Sequence, residues 1–239
     1  MDALRACLDQ IDFAQALLFT NAAVAAPDPI RVVRIDSLDT ARAYSDFLLC
    51  GLVHHLRTSH CLIVQWDGFV IDSACWDPQF LDFDYIGAPW PQFADGHAVG
   101  NGGFSLRSLR LLEACQNTNF CVGHPEDVAI CRTNRSFLEE KHRIRFADLA
   151  TAQKFSFERT VSRGQTFGFH GVFNMIPALG ANRFWEIYSS LDDKQTAFVD
   201  YELLMRQLGR GSEAARRRLR LTIDFLRARL SRRRAAGSS

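Results

Sequence analysis

A few residues in this chain have the types and settings to do chemistry. Asp67 ends the apolar run CLIVQWD and is followed by Gly68. A carboxylate at a strand end can hold a divalent cation, because Mg²⁺ or Mn²⁺ takes one or two carboxylates together with substrate phosphates; equally, an aspartate before glycine can simply form a turn. Glu126 and Asp127 follow Pro125, where a carboxylate can deprotonate an incoming hydroxyl and where acidic residues also suit the start of a helix. His170, between Phe169 and Gly171, is a metal ligand or a core histidine. Trp90, in APWP, is a stacking platform for a sugar ring or a core residue. Around Asn101, the glycines at 100, 102 and 103 leave room for a ligand to approach the backbone closely. A carboxylate at a strand end beside a glycine-lined wall suggests a polar ligand site.

The elements that must position these residues follow from the apolar periodicity. Leu4, Leu8 and Ile11 mark a first helix, AQALLFT and IRVVRID read as strands, and Ser37 is a candidate N-cap for a helix with Leu38, Ala41, Leu48 and Leu52 on its apolar face. That helix leads into a buried strand ending at Asp67. Strand, helix and strand in alternation predict a mainly parallel sheet, which binds ligands at the carboxyl ends of its strands. SLRSLRLLEACQ and the stretch from Glu126 through VAICRTNRSFLEE read as helices, IRFA as a short strand, and GQTFGFHGVFN as a strand and turn carrying His170. NRFWEIYSSL and FVDYELLMRQL read as late helices, followed by a hinge at Gly209 to Gly211.

Composition bounds the class. At 239 residues, 47% hydrophobic and 23% charged, the chain suits one globular domain, 1–210, followed by a basic helix or tail, 211–239. Its start, MDALRACLDQ, has no basic segment or cleavage site, and no apolar run reaches membrane-spanning length, which points to the cytoplasm. Seven cysteines with no CxxC spacing suggest reduced thiols rather than a disulfide framework or zinc ribbon. From Glu213 onward nine arginines face only Glu213 and Asp224, a charge of +7 in a chain whose total is +1. The body is therefore mildly acidic, which argues against nucleic acid as its partner. On a helix, Leu219, Ile223, Leu226 and Leu230 form an apolar stripe flanked by arginines, the pattern of a helix lying on an anionic membrane surface, here the inner face.

QWDGFV, DYIGAPW, VGNGGFSLRS, PEDV, IRFA and FGFHG, in this order, resemble a bacterial glycosyltransferase-like domain family of unknown function, related to the GT-A nucleotide-sugar transferases. The resemblance covers roughly residues 4–174. It implies a Rossmann-like GT-A sheet flanked by helices, in which an Asp-x-Asp signature presents a metal-bound nucleotide diphosphate. Here the signature reads Gln65-Trp66-Asp67, with an amide in place of the first carboxylate. The resemblance further implies Asp67 and His170 as ligands of Mn²⁺ or Mg²⁺ and Asp127 or Glu126 as the catalytic base. Gln65, Trp90, Asn101, Gly102 and Gly103 would line the substrate. The chain starts at the helix after the family's first strand, so either that strand lies upstream or the nucleotide pocket is incomplete. The expected function is transfer of a sugar from a nucleotide-diphosphate donor to a hydroxyl of a polysaccharide or lipid-linked acceptor. The alternatives are a degenerate, non-catalytic nucleotide- or glycan-binding module and a plain interaction protein.

Overall fold

The computed structural model describes residues 1–160 and 164–236; the end of the expected tail, 237–239, lies outside the described residues. The chain is mixed α/β and divides into two compact units, Met1–His170 and Gly171–Ser239, a division that comes well before the expected boundary after residue 210.

The first unit opens with α1 (Asp2–Leu8), then β1 (Ala16–Thr20) and β2 (Ile30–Arg34), which pair in parallel with Ala16 opposite Ile30. Helix α2 (Ala41–Asp46) is capped by Thr40, whose hydroxyl accepts from the Ala43 N–H at 3.0 Å. The expected cap, Ser37, is used elsewhere: its hydroxyl donates to Asp39 and accepts from the Asn21 amide, which ties down the loop before the helix. Next come β3 (His60–Val64), β4 (Tyr85–Ile86) and β5 (Phe104–Ser108), an antiparallel sheet in the order β3-β5-β4. Arg107 in the middle strand faces Cys61 on one side and Tyr85 on the other.

Two expectations are corrected here. The strand leading to Asp67 was read as part of a mainly parallel sheet, yet β3 pairs antiparallel with β5. A short apolar run reports burial and carries no information on strand direction. Ser105 to Ser108 was read as the start of a helix and is instead strand β5, every residue of which is buried. Partners on both edges decide the matter, and a local pattern with an arginine in it cannot register them.

Helix α3 (Leu109–Ala114) begins directly after β5. Ser108 caps it by accepting from the Leu111 N–H, and its own hydroxyl donates to Asp84 Oδ1 at 2.6 Å. The helix expected from Glu126 to Glu140 is broken into α4 (Glu126–Val128), a wider turn, and α5 (Arg135–His142). Asn134 sits at the break: its amide donates to the Ala129 carbonyl, which a continuous helix would have paired, and it both donates to and accepts from the Cys121 backbone in the preceding loop. Helix α6 (Leu149–Phe155) leads into β6 (Ser156–Phe157), which pairs in parallel with β7 (Gly168–Phe169). The expected strand at 144–147 is reduced to a single bridge between Phe146 and Tyr85.

Aromatic packing fixes the ends of these strands. Phe104 stacks on Phe155 with ring centres 5.1 Å apart, and Phe80 meets Phe155 edge-on at 5.4 Å. A separate apolar cluster around Leu111, Ile130 and Leu138 carries Tyr85 and Trp90. All seven cysteines are free, and burial pushes the Cys61 and Cys115 thiols up to about 12, so they pack as inert apolar side chains.

The second unit is helical. Helix α7 (Val172–Ser190) is interrupted at Gly180, whose φ of 81° lies in the left-handed region; α8 (Tyr201–Gln207) and α9 (Ser212–Ala236) follow. The inner face of α9 is held within this unit. Leu221 is buried, Asp224 accepts from the Tyr188 hydroxyl at 3.1 Å, and Phe225 stacks on Tyr201 at 4.4 Å. No helix among the described residues is long and apolar enough to cross a membrane.

Candidate functional site

Six separate sequence segments meet just beyond the end of β3. Gln65 and Gly68 exchange backbone hydrogen bonds, so Gln65-Trp66-Asp67-Gly68 forms a tight turn that presents two polar side chains together. Gln65 donates from Nε2 to the Tyr44 hydroxyl of α2 at 2.7 Å, and its Oε1 lies 3.3 Å from His170 Nε2. Asp67 is buried, with Oδ1 3.6 Å from the same His170 nitrogen. His170, directly after β7, places its other ring nitrogen 3.3 Å from Glu158 Oε1. Burial alone would lower the His170 pKa; the Glu158 hydrogen bond and the Asp67 charge outweigh it and raise the pKa. Acceptors face both ring nitrogens; in the neutral ring that donates Nδ1–H to Glu158, the Nε2 lone pair is turned toward the Asp67 and Gln65 oxygens.

The glycine loop closes over this group. Asn101 has a φ of 64°, is buried, and accepts the Gly103 N–H on its Oδ1. A Cβ on Gly103 would lie 1.9 Å from His170 Nε2, and one on Gly68 would lie 2.7 Å from His170 Cδ2. The same Cβ on Gly102 would lie 2.0 Å from Glu126 Oε1. On the side where a Cβ would project, these glycines are met by the protein's own histidine and glutamate.

The acidic pair splits into two roles. Glu126 Oε1 accepts from Arg107 Nη2 at 2.9 Å, in an ion pair whose arginine is 0% exposed. Arg107 also donates to Ser105 Oγ and to the Gly102 carbonyl, and Ser45 Oγ approaches Glu126 Oε2 at 3.4 Å. Glu126 is thereby engaged with a buried arginine, which leaves Asp127 the less encumbered of the two expected bases. Asp127 is only partly buried, and it accepts the Gly102 N–H at 3.0 Å and the Val128 N–H at 2.8 Å. Burial first, and the neighbouring Glu126 charge second, raise the Asp127 pKa from its ordinary value, the direction that makes a carboxylate a better proton acceptor.

Of the two alternatives for Trp90, its packing matches the core one. At 7% exposure it packs edge-on to Phe93, and a Cβ on Gly100 would strike its indole at 2.2 Å. It is a core residue that sets the glycine loop against DYIGAPW, with its backbone N–H donated to the Ala98 carbonyl.

The geometry admits a partial cation site. Ligands about 2.1 Å from an octahedral Mg²⁺ stand about 3 Å from one another. Asp67 Oδ1 and Gln65 Oε1, at 3.6 and 3.3 Å from His170 Nε2, are close to that spacing. One carboxylate, one imidazole and one amide oxygen suit an ion whose shell is completed by phosphate oxygens; no group of three His, Cys, Asp or Glu at ligand spacing occurs among the described residues. Tyr44, Ser45, Arg107 and Glu158 also belong to this constellation and were not singled out as site residues from the sequence. Only Arg107 left a usable signal there: an arginine two residues from Ser105 in a segment that must be buried calls for an acidic partner.

A family model described as a protein of unknown function (DUF5672) matches residues 29–170, a span that contains Gln65, Asp67, the glycine loop, Asp127, Glu158 and His170. No curated protein and no solved structure matches the chain.

Proposed function

We propose that this chain, which belongs to the DUF5672 family, is a glycosyltransferase with a GT-A-type site, moving a sugar from a nucleotide-diphosphate donor to a hydroxyl of a polysaccharide or lipid-linked acceptor. The observation that carries the reading is that Asp67 and Gln65, at a strand end, each place an oxygen within 3.6 Å of His170 Nε2, with Asp127 held to the adjoining glycine loop. Asp67 and His170 would hold Mn²⁺ or Mg²⁺, with Gln65 Oε1 beside them. Such an ion, when bound, neutralises charge on the departing diphosphate.

This chain's own residues do the rest. Asp127 takes the proton of the acceptor hydroxyl as that oxygen bonds to the sugar's anomeric carbon. The bond from that carbon to the diphosphate oxygen breaks, and the diphosphate leaves with the electron pair. The Gly102 N–H keeps the Asp127 carboxylate oriented, and its raised pKa favours proton capture. Glu158 fixes the His170 ring from the opposite side, as outer partners of ligating histidines commonly do.

A second reading, a non-catalytic nucleotide- or glycan-binding module, is favoured by one specific observation. The first acidic position is Gln65, and its amide is engaged by Tyr44 and His170.

The test is a thermal-shift panel of UDP-, GDP-, CMP- and dTDP-sugars with and without Mn²⁺, followed by calorimetry on Asp67→Asn. A bound donor at a hundredfold excess over Kd should stabilise the protein by about 2.7 kcal/mol. The Asn variant should lose Mn²⁺-dependent nucleotide binding while keeping its unfolding temperature. If no donor shifts the parent, or the variant binds metal and nucleotide as the parent does, the transferase reading fails.

A further inference from the structure

Helix α9 has two faces, and only one is used. The side bearing Leu221, Asp224 and Phe225 is packed within the second unit. On the other side, Leu219, Leu226 and Leu230 are 63%, 51% and 58% exposed. At about 100° per residue, these three and the partly buried Ile223 fall within an arc of about 60°, and they span about 16 Å along the axis. Such a row of exposed leucines on one helix face is an uncovered apolar stripe.

The residues beside the stripe say what covers it. On one flank are Arg216, Arg220 and Arg227, and on the other is Arg229. Arg216 reaches Glu213 and Arg220 reaches Asp224, but both arginines remain largely exposed. The stretch is strongly cationic in spite of those two acids. A second copy docking through the same stripe would bring like charges together, and a nucleic acid would leave the leucines without a use. An apolar row edged by arginines matches a surface with an apolar interior and an anionic boundary.

We infer that the outer face of α9 lies on the surface of an anionic lipid bilayer, with Leu219, Ile223, Leu226 and Leu230 entering the acyl boundary and the flanking arginines meeting lipid phosphates. The helix lies along the surface rather than across it, in keeping with its charge. This does not depend on the transfer reaction and stands on residues outside the span matched by the family model.

Deleting the helix would strip the buried face from Tyr188 and Tyr201, so the test uses point changes in the full chain. The parent and the triple variant Leu219→Gln, Leu226→Gln, Leu230→Gln are sedimented with vesicles of phosphatidylglycerol mixed equally with phosphatidylcholine, and with phosphatidylcholine alone. The parent should bind the anionic vesicles and release them as salt rises, and the variant should bind about tenfold more weakly or worse with an unchanged unfolding midpoint. Equal binding by both proteins, or no binding by the parent, overturns the inference. So does a concentration-dependent dimer of the parent that the variant loses in the absence of lipid, which would assign the stripe to a second copy.

Discussion

Replacing Glu126 by Gln separates the two roles that the acidic pair could play. Arg107 lies in the middle of a fully buried strand at 0% exposure, and its Nη2 reaches Glu126 Oε1 at 2.9 Å. Removing one partner of a buried ion pair costs about 3–5 kcal/mol, because the other charge is left uncompensated. The glutamine oxygen can still accept the hydrogen bond, so the loss should lie near the lower end, about 3 kcal/mol. For a unit of this size each kcal/mol shifts the unfolding midpoint by about 2–4 °C, which puts the expected fall at roughly 6–12 °C. The assay is thermal unfolding followed by circular dichroism. Two controls go with it: Asp127→Asn, and the apolar pair Arg107→Met with Glu126→Leu, which should regain most of the loss because no charge is left buried. A Glu126→Gln midpoint within about a degree of the parent would refute the claim that the pair supports the fold, and would return Glu126 to candidacy as a base.

Asp127→Asn should abolish sugar transfer while donor binding persists, measured as turnover beside calorimetric affinity, since its role is exercised in the transition state. The same variant has a pH signature. A carboxyl whose folded pKa is raised favours the folded state below its unfolded pKa and loses that contribution as pH rises through the folded value. The melting temperature of the Asn variant relative to the parent should therefore climb from acidic to neutral pH, and a flat difference would contradict the raised pKa. Gly103→Ala would put a methyl 1.9 Å from His170 Nε2, so the ring must move. Nucleotide binding in the presence of Mn²⁺ should weaken at least tenfold, about 1.4 kcal/mol, and parent-like calorimetry would show that the ring's position is not critical.

The strands β1 and β2, the turn at Asp67 and the late histidine were legible because apolar runs and glycine punctuation are local signals. Strand β5 was not, since Ser105-Leu106-Arg107-Ser108 looks helical or exposed until Glu126, nineteen positions on, neutralises the arginine. The same long-range dependence hid the division of labour between Glu126 and Asp127. Adjacent acids are equivalent in a sequence and become distinct once one is turned toward Arg107 and the other toward the Gly102 N–H. Trp90 was ambiguous for a related reason: an indole suits a core and a sugar face alike, and only its contact with Gly100 settles which.

The imidazole of His170 packs closely against two side-chain-free backbones, at Gly68 and at Gly103. That clamp means its rotamer is chosen during folding rather than at binding. Immobilising a side chain on association ordinarily costs about 0.5–1.5 kcal/mol. Here that entropic cost falls on the native state, so whatever meets Nε2 encounters a preorganised nitrogen. In a site that binds as proposed, the two glycines would aid recognition by restricting a neighbour's freedom without touching the ligand.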